Sequence, residues 1–272
     1  MTSTTGLQPT HSFMSAPSET TQGRPGRVRR TALVAAGFFA CALPTVFTVN
    51  VTRMLVTGEY ADHRFHQATG QGLILFALWL VPLIGLLRAG WAGRRPSPAL
   101  GWQHLAFVVT GVVSAAIAPG GGAPWLVSVI AITGALAWAA LPQRPTLRIK
   151  VQIDPVLAPV ALLGCAVLMP FVIDQLAAQN AVTDGHHAEN PHLFDMAWMS
   201  ACLLVLGVLG AAVPAARHLM GWLAGGAMAT GTAGLCFGEG VTWSLLVFGT
   251  GVLAGAAYLV TARHAHSSQT SR

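Results

Sequence analysis

The chain has 272 residues, of which 53% are hydrophobic and only 9% charged. A soluble domain carries about 25% charged residues, so this chain lacks the charge to solvate a globular surface and reads as an all-α, polytopic membrane protein. Its formal charge of +6, from 15 Lys and Arg against 9 Asp and Glu, is then a topology signal and not the mark of a nucleic-acid partner.

Residues 1–30 are rich in Ser, Thr, Pro and Gly and close on Arg24, Arg27, Arg29 and Arg30, a composition that predicts a disordered cytoplasmic tail. The apolar run from Thr31 to about Thr52 is too long for a secretory h-region and lacks a small-residue cleavage site, so it predicts a retained first span. A bilayer core takes roughly 20 apolar residues per helix. Such runs recur at 68–88, 103–119, 124–141, 155–176, 193–214, 218–236 and 241–261, for eight spans in all. The third and fourth are short and separated only by Pro119 to Pro124, which predicts a helical hairpin at one face. The expected layout is a four-helix repeat over 31–141, a cytoplasmic linker over 142–154, a second repeat over 155–262 and a cytoplasmic tail over 263–272.

With the N-terminal tail in the cytoplasm, Arg88, Arg94, Arg95, Arg144, Arg148, Lys150, Arg217 and Arg263 fall in inner loops and only Arg53 and Arg64 in outer ones. That asymmetry follows the positive-inside rule and predicts a cell-membrane protein with both termini cytoplasmic. The acids run the other way. Glu59, Asp62, Asp184, Glu189, Asp195 and Glu239 lie in or beside outer loops, and His63, His66, His186, His187 and His192, five of the ten histidines, join them there.

The two halves carry an ordered similarity. Cys41-Ala42, Phe47 and Asn50 match Cys165-Ala166, Phe171 and Asp174, and His63-Arg64-Phe65-His66 aligns with His192-Leu193-Phe194-Asp195. Gly120, Gly122 and Trp125 align with Gly238, Gly240 and Trp243. This reads as four helices duplicated in tandem, the same way up, which makes the His-bearing ends of the second and sixth helices partners across a pseudo-two-fold axis.

An ionisable side chain inside the membrane is costly and is the usual pointer to function. The span cores hold none by this reading, which argues against a proton- or sodium-coupled transporter and leaves the outer cluster as the candidate. Glu59, His63 and His66 share one stripe if the second helix starts before them, and His192 and Asp195 share a face at i, i+3. Glu189-x-x-His192 is similar to the Glu-x-x-His of di-iron bundles, but Asn190-Pro191 reads as the start of a helix, which leaves Glu189 outside it. Imidazoles with carboxylates suit zinc, iron, copper or manganese. The expected metal ligands are therefore His63, His66, His187, His192 and Glu189, with Glu59 and Asp195 as catalytic acids or orienters.

His104 and His218 are expected at the cytoplasmic interface and His264 and His266 in a polar tail. Trp91, Trp102, Trp125, Trp198 and Trp243 are expected as interfacial anchors, Gly221-x-x-x-Gly225 and Gly251-x-x-x-Gly255 as close-packing helix faces, and Cys41, Cys165, Cys202 and Cys236 as packing residues. The four-plus-four arrangement, with an acid and His near the second helix, resembles the architecture of haem A synthases. That family also implies His ligands on the fourth and eighth helices. Here Trp125 to Leu141 and Trp243 to Val260 contain none, so haem is not expected and no residue role is carried over.

No P-loop, Gly-x-Ser-x-Gly, His-Glu-x-x-His or dinucleotide fingerprint is present. The leading expectation is a metal-dependent membrane-embedded enzyme working on a small-molecule or lipid substrate at the outer leaflet. A metal or small-molecule transporter, a metal-free lipid- or isoprenoid-modifying enzyme using the acids, and a non-catalytic scaffold or immunity protein are the alternatives.

Overall fold

The computed structural model describes residues 26–70 and 72–270, with side chains to position 264. The expected tail over 1–25 and the side chain of His266 lie outside the described residues. Among the described residues the chain is helical, with no strand. The long helices are α1 (Arg27–Thr57), α2 (Leu73–Trp91), α3 (Pro98–Ile117), α4 (Ala123–Ala140), α5 (Leu157–Ala181), α6 (His192–Ala212), α7 (Met220–Phe237) and α8 (Val241–Thr270). Seven helices among the described residues are long and apolar enough to cross a membrane. The glycine-rich α7, at 18 residues, is not among them.

The ends differ from expectation by about five residues at several helices, and by more at the last. α1 begins at Arg27, so Arg27, Arg29 and Arg30 belong to its first turns and not to a tail. α8 runs on to Thr270 instead of stopping near 262.

α1 to α4 close into one ring of neighbours, with α1 packed on both α2 and α4, and α5 to α8 close into another in the same order. The rings meet mainly where α3 lies on α6. α6 is the most enclosed span, 72% buried over its apolar window, and Phe107 and Trp198 pack in the seam with ring centroids 4.5 Å apart. The outward faces carry large apolar side chains such as Phe38, Ile132 and Leu162, as helices that are apolar all round require of their surroundings.

Two prolines explain two inter-helix hydrogen bonds. A proline inside a helix has no N–H for the carbonyl four residues back, and in an apolar medium that carbonyl needs another donor. Pro44 in α1 frees the Ala40 carbonyl, which accepts from Trp79 Nε1 of α2 at 2.9 Å. Pro82 in α2 frees the Leu78 carbonyl, which accepts from Gln103 Nε2 of α3 at 3.3 Å. Replacing Trp79 with Phe orphans the Ala40 carbonyl and is expected to cost about 1–3 kcal/mol. Pro44→Ala in the same chain restores the helical N–H and recovers most of that loss, as thermal unfolding in detergent will read.

The basic end of the bundle is tied together by side chains. Arg29 donates to the Leu141 carbonyl at 2.9 Å, and the Arg30 guanidinium lies 5.4 Å from the Trp91 ring centre. Asp154 caps α5 by accepting from the Val156 and Leu157 N–H groups and meets Arg217 at 3.0 Å.

Several interior assignments change. His104 is buried, not interfacial, and stacks between Trp79 and Trp138 at 4.9 and 5.6 Å. Trp198 is fully buried, and its indole N–H donates to the Phe107 carbonyl at 2.8 Å, so it anchors no interface. Trp91 and Trp125 are exposed, as anchors would be. Gly251 lies close against the α7 backbone at Ala224 and Met228, whereas nothing packs on Gly221 or Gly225 within this chain.

Candidate metal centre

The end opposite the basic residues is built from two segments, 58–70 and 185–195. α1 stops at Gly58, whose φ of 77° gives the left-handed cap that favours glycine. Tyr60, also left-handed at φ 55°, turns the chain back into the short helical pieces Ala61–His63 and Arg64–Ala68. The expected Glu59–His63–His66 stripe does not form, because α1 ends at Thr57 and the next helical piece begins only at Ala61. Buried Gln67 holds the loop closed by donating from Nε2 to the Glu59 carbonyl at 3.2 Å.

The second segment starts at Gly185 (φ 73°) with a single turn, His186–Glu189, and then enters α6 at His192. Gln179 of α5 holds both parts. Its Nε2 donates to the His187 carbonyl at 3.0 Å and its Oε1 accepts from the Phe194 N–H at 3.2 Å. The two segments are joined through Met196, whose Sδ accepts from Thr69 Oγ1 at 2.9 Å and from the Gly70 N–H at 3.3 Å.

This scaffold brings the imidazoles of His63, His66, His186, His187 and His192 together. His63, His187 and His192 each have the other four rings within 4.7–6.4 Å, centroid to centroid. The Nε2 atoms of His186 and His192 are 2.8 Å apart, a hydrogen bond that one proton supplies. A nitrogen ligand about 2.0–2.1 Å from a metal puts its ring centre about 3 Å away, so two rings on one metal stand roughly 4.5–6.4 Å apart. The observed spacing falls in that range.

Among the described residues no set of three or more His, Cys, Asp or Glu forms a ready-made metal-binding group. The spacing of rings and the aim of their nitrogens are separate matters. The second depends on the soft χ2 torsion of histidine, which turns at little cost.

The expected acids sit apart from this cluster. Glu59 is held by Arg53 in a two-point ion pair at 2.7 and 2.9 Å, both side chains half exposed, on the rim of a polar cavity of about 250 Å³ that includes His63, His186 and His192. Glu189 is exposed and lines a different, apolar cavity together with His192 and Asp195. Asp195 lies in the first turn of α6, as its spacing from His192 predicts, but it is buried and its Oδ1 has no hydrogen-bond partner. His186 was not among the expected ligands. Its signal was the His-His pair between Gly185 and Asn190-Pro191, which confines it to one turn beside His187.

Burial lowers the His187 imidazole below its ordinary value, and the neighbouring His63 and His186 push the same way. A neutral imidazole is the form that binds a metal. It also titrates with folding. The unfolded chain takes up a proton near pH 6.5 where the folded His187 does not, so stability is lost as pH falls through and below that value.

Compared with family models, curated proteins and solved structures, the chain matches none, so the site alone carries the argument about function.

Proposed function

We propose that this is an eight-span protein of the cell membrane, built as a tandem duplication of four helices with both termini in the cytoplasm. Its His-rich outer face holds a transition metal and serves a membrane-embedded enzyme. The observation that carries the reading is the meeting of five imidazoles from two distant segments, His63 and His66 with His186, His187 and His192. A solvated loop surface has no need of such a meeting. The duplication is supported by the identical neighbour order of α1–α4 and α5–α8, and the orientation by the basic end described above.

His63, His187 and His192, which neighbour every other ring, are the core of the ligand set, with His66 and His186 completing it. An all-imidazole set suits zinc, copper or iron. Once bound, such a metal supplies Lewis acidity. Glu59 steadies the loop through Arg53, and Gln67 and Gln179 hold the two loops in register.

The direct test is elemental analysis and an optical spectrum of the full chain purified in detergent. Near-stoichiometric zinc, copper or iron is expected, and it should be released as acidification protonates the imidazoles, which bind metal only when neutral. A metal-free chain that still functions would move the assignment to a scaffold. For orientation, cysteines placed at 62 and 184 in a Cys-free background are expected to label from outside and those at 95 and 148 from inside. The reverse pattern would overturn the topology.

A further inference from the structure

Next to the histidines, α6 forms one wall of a second cavity of about 300 Å³, and of the five clustered imidazoles only that of His192 lines it. Five aromatic side chains, Phe47, Phe76, Phe107, Trp125 and Trp198, line it. Trp125 is 67% exposed, so the cavity reaches the surface at the His-rich end. The indole N–H of Trp198 is already spent on the Phe107 carbonyl. Glu189, Asn190, His192 and Asp195 are the cavity's polar lining residues, and the buried carboxyl among them is Asp195, which is 6% exposed and whose Oδ1 has no hydrogen-bond partner.

A buried polar oxygen without a partner is costly, and an aromatic-walled space of this size with a few polar groups at one end is the usual form of a small-molecule site. Aromatic walls favour an aromatic guest through edge and offset ring contacts beyond the area buried. The guest's polar group must satisfy a carboxyl in either protonation state, and a hydroxyl, which both donates and accepts, does so. The volume takes one or two rings and not a whole lipid.

We propose that this cavity binds a phenol, with its ring between the Phe and Trp walls and its hydroxyl on Asp195 Oδ1. His192 lines this cavity and the polar one beside it, so the hydroxyl end of the guest sits next to the histidine cluster. That the phenol is the substrate rests on the metal reading; that it binds does not. The same chemistry is offered by a free phenol and by the ring head of a quinol lipid.

The test uses 1-naphthol on the full chain in nanodiscs, read as saturable quenching of tryptophan fluorescence, with and without a chelator. Saturable binding is expected in both conditions, weakened about tenfold by Asp195→Ala through the lost hydrogen bond. 1-Methylnaphthalene, which has no hydroxyl, should bind both chains alike. Leu126→Trp, which fills the cavity from a wall residue outside the histidine cluster, should abolish binding of both probes. No saturable binding, or equal naphthol affinity in the parent chain and Asp195→Ala, overturns the proposal.

A hydroquinone with a decyl tail serves as the second probe. Tighter binding than naphthol assigns the lipid source, and equal binding the free phenol. Naphthol binding in a chain that never holds metal would leave this assignment standing and remove the metal reading. Metal without naphthol binding would do the opposite.

Discussion

His192→Ala should lose bound metal more completely than any other single substitution, with affinity falling by about a hundredfold or more. His192 opens α6, packs against the rings of His63, His66, His186 and His187, and shares the 2.8 Å contact with His186. Structural zinc sites are worth about 10–16 kcal/mol over their ligands, so one ligand of four or five carries about 3 kcal/mol, or about a hundredfold in affinity. The next donor on α6, Asp195, is buried beside the apolar cavity and does not take its place. Membrane insertion should be unaffected, since the chain loses no apolar length. His63→Ala should follow closely, whereas His264→Ala, at the far end of α8, should bind metal like the parent chain. Metal titration of the purified variants decides it: full metal content and full function in both His63→Ala and His192→Ala would reduce the cluster to solvated loop decoration.

Gly70→Ala should weaken metal binding without touching any ligand. A Cβ built at Gly70 would stand 2.5 Å from the Met196 backbone N and Cα. No backbone atom can be pushed aside as a side chain end can, so the 64–70 segment and α6 must separate. That separation carries His63 and His66 away from His186, His187 and His192 and strains the two Met196 hydrogen bonds. Overpacking of this kind costs about 1–3 kcal/mol, which converts to roughly a 5- to 150-fold loss of metal affinity. Gly225→Ala is the control, because nothing packs on Gly225 and alanine is the better helix former. It should leave the metal affinity unchanged while slightly raising the unfolding temperature. Equal metal binding by Gly70→Ala would mean that the two loops do not have to meet for the site to work.

The existence and order of the helices were legible in the sequence, and most of their ends to within about five residues. The expected span at 193–214 is α6 (His192–Ala212), and a helix, α7 (Met220–Phe237), also forms over 218–236, although it is not among the seven apolar enough to cross a membrane. The Gly-rich break after Pro119 is the Gly120–Gly122 turn. The association of His63 with His192 could also be anticipated from the repeated His-x-Phe segments, and their rings lie 6.0 Å apart. Failures occurred where a neighbour decides the role. His104 looks like an interfacial residue until Trp79 and Trp138 close on it. Glu59 looks like a helix partner of His63 until Gly58 and Tyr60 turn the chain between them.

The sequence by itself determined the membrane class, the helices, their approximate ends and the separation of a basic end from a His- and acid-rich one. These depend on length, composition and order along the chain, which are local quantities. Tertiary structure alone decided which side chains face inward. A soluble helix announces its buried face by an amphipathic period, but these helices are apolar all round, and nothing local distinguishes the enclosed Trp198 from the exposed Trp125. The burial of Asp195, the entry of His186 into the cluster and the proline-freed carbonyls finding Trp79 and Gln103 all follow from how each helix is rotated against its neighbours. That rotation is set by packing across the bundle, where residues far apart in the chain come into contact.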